Sequence, residues 1–264
     1  MSLEGMAGLR ATIDDVRMVL LSLGGDEWAA QSAAIGWSVK DVATHMADLL
    51  SILTSAVRGE PDTGLGIERL NDVHVTERAD WAPDDVLDDF TRRSAEALPI
   101  FDTLQNEPYA STQAPYLDLG TYPLHTMADV CAFDFYDHLR WDILAPRGPL
   151  RRQPPSPDET RLRPAVGWLL TGLPYMQPGL ADSLVEPVQL TLTGPGGGAW
   201  MLDPSQGQIT VTPASDGLRP TAVVESTAHD FTAWSTTRVP WRDRVTVTGD
   251  RQVASFFLDA LNLV

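Results

Sequence analysis

The stretch Gly36-Trp37-Ser38-Val39-Lys40-Asp41-Val42-Ala43-Thr44-His45-Met46-Ala47 decides how the first half of the chain is interpreted. Ser38 can cap a helix that begins after it, and Asp41 stands at the third helical position, where a carboxylate can bond back to the capping residue. Apolar residues then recur at steps of three and four, at Val42, Met46, Leu49, Leu53 and Ala56. This spacing predicts a helix that ends near residue 57 and carries His45 on its apolar face.

Helical spacing extends to other parts of the first half of the chain. Periodic or acidic stretches cover residues 9–23, 67–78, 83–98 and 121–144, and the last begins at Thr121-Tyr122-Pro123 with Thr121 or Tyr122 as its cap. Loops joining these stretches include segments rich in Pro and Gly. We therefore predict an all-α four-helix bundle over residues 1–148.

The second half has a different composition. A segment rich in Pro and Arg at residues 146–157 is typical of a semi-rigid linker. After it, helices are predicted at residues 159–174, 228–237 and 250–262, and strands at residues 188–193, 199–202, 208–212, 221–225 and 244–248. We predict a small α+β domain with an antiparallel sheet over residues 149–264.

The charge of the chain is strongly acidic. Its formal net charge is −17, and residues 1–150 hold 10 Lys and Arg against 25 Asp and Glu. Such a surface repels phosphates, and nucleic-acid binding needs clustered basic residues. Nucleic acid is therefore not expected as a partner.

Cysteine usage and hydropathy point to a soluble protein of the cytoplasm. The only cysteine is Cys131, so neither an intramolecular disulfide nor a cysteine-rich zinc site can form. No stretch approaches the roughly 20 apolar residues of a membrane span. The first residues also lack the basic and apolar regions of a signal peptide. We expect a cytoplasmic location and no membrane partner, with the chain acting as a monomer or a homodimer.

Polar residues interrupt two apolar helix faces. His45 lies on one face, and Asp134 and His138 stand four residues apart on another, so both point to the same side of their helix. Two imidazoles and one carboxylate suit zinc or another divalent ion and leave coordination positions open. The alternative is that Asp134 and His138 hydrogen-bond to each other and that His45 is an unrelated core residue. Spacing alone does not decide between these interpretations.

The residues 36–47 resemble the entry motif of DinB-like proteins, in particular of the mycothiol-dependent maleylpyruvate isomerase family. The segment Asp134-Phe135-Tyr136-Asp137-His138 is similar to the family's carboxylate and histidine pair, with Asp134 where Glu is commoner. The end of the chain from Val245 also resembles the family's sterol-carrier-like C-terminal domain. The resemblance thus extends over nearly the whole chain.

The resemblance implies a site and a chemistry. It implies that His45, Asp134 and His138 bind zinc and that mycothiol, or a similar low-molecular-weight thiol, is the cosubstrate. The stretch 231–238 resembles one that ends in a functional arginine, which makes Arg238 the catalytic candidate, although Thr237 replaces the usual Gly before it. Arg242 is a second candidate, for binding the cofactor. The expected activity is isomerisation or S-transfer on a small, electrophilic substrate that carries a carboxylate.

Two other classes of function stay open. The chain could be a hydrolase or lyase that uses metal-bound water, with Asp48 or Asp137 as the base. It could instead bind a small ligand in its second domain and keep only a vestigial metal site. Thiol-dependent turnover separates the expected activity from the water-dependent enzyme, and a metal-free preparation that still binds ligand would favour the binding protein.

Overall fold

The computed structural model describes residues 3–60, 63–204, 207–215 and 219–263. The chain divides into two compact units, Met1–Ser156 and Pro157–Val264. The boundary predicted between residues 148 and 149 lies in the Pro-rich segment just before this division. Among the described residues, no helix combines the length and the apolar character that crossing a bilayer requires.

The first unit is rich in helices, as predicted. Its helices are α1 (Leu3–Leu21), the short α2 (Gly25–Trp28), α3 (Val39–Val57), α4 (Ile67–Glu77), α5 (Pro83–Thr103) and α6 (Met127–Asp137). Helix α6 continues directly into one wider, π-helical turn at His138–Ile143. Helix α3 packs against α4, α5 and α6, and α1 packs against α5 and α6. This confirms a helix-rich first unit, while the four-helix arrangement within it stays a prediction.

Helix α3 begins where its sequence predicts. The Ser38 hydroxyl oxygen accepts a hydrogen bond from the Asp41 amide at 3.2 Å, and the Asp41 carboxylate accepts one from the Ser38 amide at 2.9 Å. These two bonds satisfy backbone donors that a helix start leaves unpaired. Gly36 just before them has a φ of +85°, a conformation that favours glycine. The motif therefore fixes the point at which the chain turns into α3.

The predicted helix start at Thr121-Tyr122-Pro123 is wrong. These residues form a strand, β2 (Thr121–Pro123), that pairs with β1 (Gln113–Pro115) in an antiparallel ladder. A 3-10 turn at Leu124–Thr126 follows, and α6 begins only at Met127. The Tyr122 ring is fully buried 5.3 Å from the Tyr116 ring, and its hydroxyl donates to the Leu119 carbonyl. The pairing and the buried tyrosines of this hairpin outweigh the capping signal.

The second unit contains a five-stranded sheet with helices. It begins with α7 (Glu159–Met176) and a 3-10 segment at Pro178–Ser183, followed by β3 (Val188–Thr193), β4 (Gly198–Asp203), β5 (Thr210–Pro213), β6 (Ala222–Thr227), α8 (Ala228–Trp234), a 3-10 turn at Trp241–Asp243, β7 (Thr246–Gly249) and α9 (Arg251–Ala260). The strand order is β5-β4-β3-β6-β7. Helix α8 contacts β3 and β6, and α9 contacts β6 and β7. An α+β unit is therefore confirmed.

The sheet is mixed, which corrects the predicted antiparallel sheet. Strands β3 and β6 pair in parallel, with Val188 opposite Ala222 and Thr193 opposite Thr227, while the other pairs are antiparallel. Strand alternation reports which side chains face the core but not which neighbour a strand pairs with. The parallel pair arises because the chain returns after β5 to the free side of β3, and only the folded chain shows this return.

Candidate metal centre

The structure brings the three predicted ligand residues together. The Nε2 atom of His45 on α3 lies 3.1 Å from Oδ1 of Asp134 on α6. The Nε2 atom of His138, at the start of the π-helical turn, lies 3.5 Å from the same oxygen. The ligand atoms of all three residues lie within 4.8 Å of one another. The side chains of His45, His138 and Asp134 are 5%, 10% and 15% exposed, so the cluster is largely shielded from solvent.

A second carboxylate orients His138. The Nδ1 atom of His138 lies 2.8 Å from Oδ2 of Asp142, which is itself almost completely buried. The other oxygen of Asp142 accepts a hydrogen bond from the Arg147 guanidinium. Histidine ligands commonly donate their second ring N–H to such a carboxylate. Neither Asp142 nor Arg147 was among the predicted site residues, although Asp142 follows His138 by four positions on the same helical stretch.

The arrangement of these atoms fits a bound cation. Because an ionised carboxylate can only accept a hydrogen bond, the contact with Asp142 favours the tautomer of His138 that carries its proton on Nδ1. In neutral His138 the Nε2 lone pair then faces an oxygen of Asp134, and two acceptors repel each other. A cation between the two groups removes this repulsion. Two imidazole nitrogens and one carboxylate are a donor set that zinc accepts, with a further position left for a ligand.

The charge of Asp134 also acts on His45. Burial, the largest single cause, lowers the pKa of His45, but the Asp134 carboxylate and its hydrogen bond, together with the charges of Asp48 and Glu68, raise this pKa more, so the net shift is upward. Within the described residues, Nδ1 of His45 has no hydrogen-bond partner. A metal ion at this cluster must therefore compete with a proton held between His45 and Asp134.

Trp37 forms one side of the cluster. The centroid of its indole ring lies 5.2 Å from the His45 ring and 6.5 Å from the His138 ring, and the indole is half-buried. The two imidazole rings meet edge to face, with centroids 4.8 Å apart. The loop before Trp37 is tied to the π-helical turn, because the Ala33 amide donates to the Asp142 carbonyl at 2.9 Å. The entry motif thus supplies a wall of the site as well as one ligand.

Asp48 is engaged in an ion network instead of facing the cluster as a free base. Its carboxylate lies 2.6 Å from a guanidinium nitrogen of Arg78 and 3.0 Å from one of Arg93, and Nδ1 of His74 is 3.9 Å away. The side chain of Asp48 is only 1% exposed. Burial raises the pKa of this carboxyl and the two arginines lower it, with a net upward shift. The network joins α3, α4 and α5.

Cys131 is unsuited to nucleophilic chemistry. The residue is completely buried in α6, one turn before Asp134. Burial, with a contribution from the charge of Asp134, raises the pKa of the Cys131 thiol well above its ordinary value. The thiolate is the reactive form of cysteine, so a buried thiol with a raised pKa is inert.

The two predicted arginines belong to the second unit. Arg238 follows Thr237, whose φ of +57° lies in the left-handed region, and the Arg238 amide donates to the Ala233 carbonyl at 2.9 Å. A glycine is the residue expected at such a backbone conformation. The Arg242 guanidinium binds Asp259 at 2.8 Å and lies over the Trp241 ring at 4.4 Å. Their roles toward substrate and cofactor stay predictions.

Comparison with known proteins bears on both units. Residues 9–128 match the family model of the mycothiol maleylpyruvate isomerase N-terminal domain. This range includes His45 and ends shortly before Asp134 and His138. A search of curated proteins finds no match.

Two solved structures share the fold over almost the whole chain. They are crystal structures of the mycothiol-dependent maleylpyruvate isomerase and of a mutant of it. Each matches with a TM-score of 0.57 and 17% sequence identity, and the match covers 93% of this chain and 92% of the other. At this identity the likeness shows the fold.

Proposed function

We propose that this chain, which belongs through residues 9–128 to the mycothiol maleylpyruvate isomerase family, is a metal-dependent isomerase or S-transferase that uses mycothiol. The observation that carries the proposal is the convergence of three ligand atoms from α3, α6 and the π-helical turn: Nε2 of His45, Oδ1 of Asp134 and Nε2 of His138. The substrate is a small electrophile with a carboxylate.

Each residue of the cluster has a distinct role in holding the metal. His45 and His138 present their Nε2 atoms, and Asp134 supplies negative charge that offsets part of the charge of a divalent ion. When bound, zinc supplies Lewis-acid chemistry: it favours the thiolate form of mycothiol over a free thiol, whose pKa is ordinarily about 8.5. Zinc is proposed because two imidazoles and one carboxylate are a donor set that it accepts, with Asp134 one methylene shorter than the Glu usual in the family.

The nucleophile is proposed to come from outside the chain. The only cysteine is buried and its thiol pKa is raised, so the chain has no reactive thiol of its own. Asp48, a candidate base for a water-dependent reaction, is held by Arg78 and Arg93. The first observation means that a thiol nucleophile has to be a cosubstrate. The second leaves Asp137, which is fully buried in α6, as the other candidate base for a reaction that activates water.

The thiolate sulfur adds to an electrophilic carbon of the substrate, such as the end of an alkene conjugated to a carbonyl. A new C–S bond forms, and the π electrons move onto the carbonyl oxygen as an enolate. Rotation about the resulting single bond, followed by expulsion of the thiolate, gives the isomer; if the sulfur stays and the enolate is protonated, the result is S-transfer. Arg238 is proposed to neutralise the substrate carboxylate or the enolate, and Arg242 is the second candidate, toward the cofactor.

Calorimetric titration of zinc-loaded protein with mycothiol tests the proposal. The wild type should bind the thiol, and His45→Ala should bind it at least about tenfold more weakly, because second-sphere changes alone cost metal sites 10–100-fold. His229→Ala, in the second unit, is the control and should bind as the wild type does. Equal binding by all three proteins would reject the role of the metal in holding the thiol.

A further inference from the structure

Asp142 holds two side chains at once in a buried position. Its Oδ2 atom lies 2.8 Å from Nδ1 of His138, and its Oδ1 atom accepts a hydrogen bond from Nη1 of Arg147. Only 2% of the Asp142 side chain is exposed, so bulk solvent has little access to either oxygen. Each oxygen of this carboxylate therefore has its own donor.

The backbone holds Asp142 in this place. His138 and Asp142 stand four residues apart within the π-helical turn, which keeps both side chains on the same side. The Asp142 carbonyl accepts the Ala33 amide at 2.9 Å, and Arg147 also donates to the Trp141 carbonyl at 3.1 Å. The carboxylate is thus fixed from both sides, and its two oxygens are not interchangeable.

We propose that Asp142 is a positioning residue that sets the tautomer of His138, and that Arg147 determines which atom of residue 142 faces the imidazole. With the carboxylate accepting at Nδ1, the proton of neutral His138 stays on Nδ1 and the Nε2 lone pair is free to bind the metal. The inference rests on the metal site proposed above. It adds two residues behind the ligand His138: Asp142, which contacts His138, and Arg147, which contacts Asp142.

The replacement Asp142→Asn makes a sharp prediction. An amide has one oxygen and one NH2 group, and Arg147 requires an acceptor, so the oxygen turns toward Arg147. The NH2 group then faces Nδ1 of His138 and donates to it. The proton of the imidazole moves to Nε2, where it blocks metal binding. The variant is nearly identical in shape to the wild type, but it moves the ring proton of His138 from Nδ1 to Nε2.

A second replacement should partly restore the site. In the double variant Asp142→Asn with Arg147→Met, nothing compels the amide oxygen to face residue 147. The amide can rotate by half a turn and present its oxygen to Nδ1 of His138. Arg147→Met alone separates this from a purely structural role of the ion pair, because a structural role predicts that leaving the buried Asp142 carboxylate without its partner weakens the site about as much as Asp142→Asn does.

The zinc affinity of four proteins tests this, measured by competition with a chromophoric chelator. Relative to the wild type, Asp142→Asn should bind zinc about 10–100-fold more weakly, and the double variant should regain at least about half of that loss on a logarithmic scale. Arg147→Met alone should stay within a few-fold of the wild type. Asp102→Asn, which removes an exposed partner of Arg10, is the matched control and should leave affinity unchanged.

A measurement on the wild type does not depend on the folding of any variant. Nitrogen-15 NMR of the zinc-loaded protein should show His138 with a proton on Nδ1 and the metal on Nε2. Coordination through Nδ1, or wild-type affinity in Asp142→Asn, would overturn the positioning role while leaving the metal site intact. Failure of the wild type to bind zinc would overturn the site itself and the inference with it.

Discussion

The Nε2 atom of His45 lies 3.1 Å from Oδ1 of Asp134, although the two residues are 89 positions apart in the chain. The contact exists only when α3 packs against α6. The candidate metal centre is therefore a property of the folded first unit, and what stabilises the start of α3 or its packing also supports the site.

The cap of α3 should contribute to the stability of the first unit. Ser38→Ala removes the hydroxyl that accepts from the Asp41 amide, so the free energy of unfolding should fall by about 1 kcal/mol. Urea denaturation followed by circular dichroism measures this. The control is Ser55→Ala. Ser55 lies later in the same helix and does not cap it, so this change should alter stability by less than about 0.5 kcal/mol. Equal losses in the two variants would contradict a capping role.

The ion network at Asp48 should be important for stability. Arg78→Met leaves a carboxylate that is 1% exposed with one partner fewer, so the free energy of unfolding should fall by on the order of 3 kcal/mol. The matched control is Arg10→Met, because Arg10 and its partner Asp102 are 48% and 51% exposed. Exposed ion pairs contribute less than about 1 kcal/mol. Similar losses in both variants, measured by urea denaturation, would show that the network is not a buried one in solution.

Cys131 should resist thiol reagents in the native protein. Because the residue is fully buried and burial raises the pKa of its thiol, reaction with Ellman's reagent at pH 8 should be slow until denaturant is added. After denaturation the thiol should react at once. Cys131→Ala should retain thiol-dependent turnover in whichever assay detects it. Rapid labelling of the native protein would show that the thiol is accessible and would reopen a nucleophilic role.

The backbone at Thr237 should be strained. A β-branched residue with a φ of +57° is disfavoured by about 1–2 kcal/mol, so Thr237→Gly should raise the free energy of unfolding by up to about 1 kcal/mol. Thermal denaturation measures this. The control is Thr246→Gly, on the exposed side of β7, which should lower stability in the usual way for a strand glycine. A loss in both variants would mean that the left-handed conformation at Thr237 carries no cost.

Local signals in the sequence predicted the helix that carries His45. The capping residues Ser38 and Asp41 and the apolar spacing after them depend only on neighbouring positions, so they could be interpreted without a structure. The same is true of the one-turn spacing between Asp134 and His138. Spacing could not bring His45 to the other two residues, because that contact depends on the packing of α3 on α6; the family resemblance suggested it instead.

Features that depend on the folded chain were missed. The burial of Tyr122 against Tyr116 makes residues 121–123 a strand, and the parallel pairing of β3 with β6 depends on where the chain returns after β5. The contact between Asp142 and His138 could have been predicted from the sequence, since Asp142 follows His138 by four positions. Its role was still hidden, because the π-helical turn and the position of Arg147 decide that its two oxygens have different partners.

The metal content of purified protein tests the central claim most directly. The wild type, loaded with zinc and then passed through a desalting column, should retain about one zinc ion per chain by inductively coupled plasma mass spectrometry, as a three-residue site predicts. His45→Ala and His138→Ala should retain almost none, while His229→Ala should retain as much as the wild type. Two results would contradict the metal centre: a wild type without zinc, or His45 and His138 variants that retain as much zinc as the wild type. Either would leave His45, Asp134 and His138 as a hydrogen-bonded cluster.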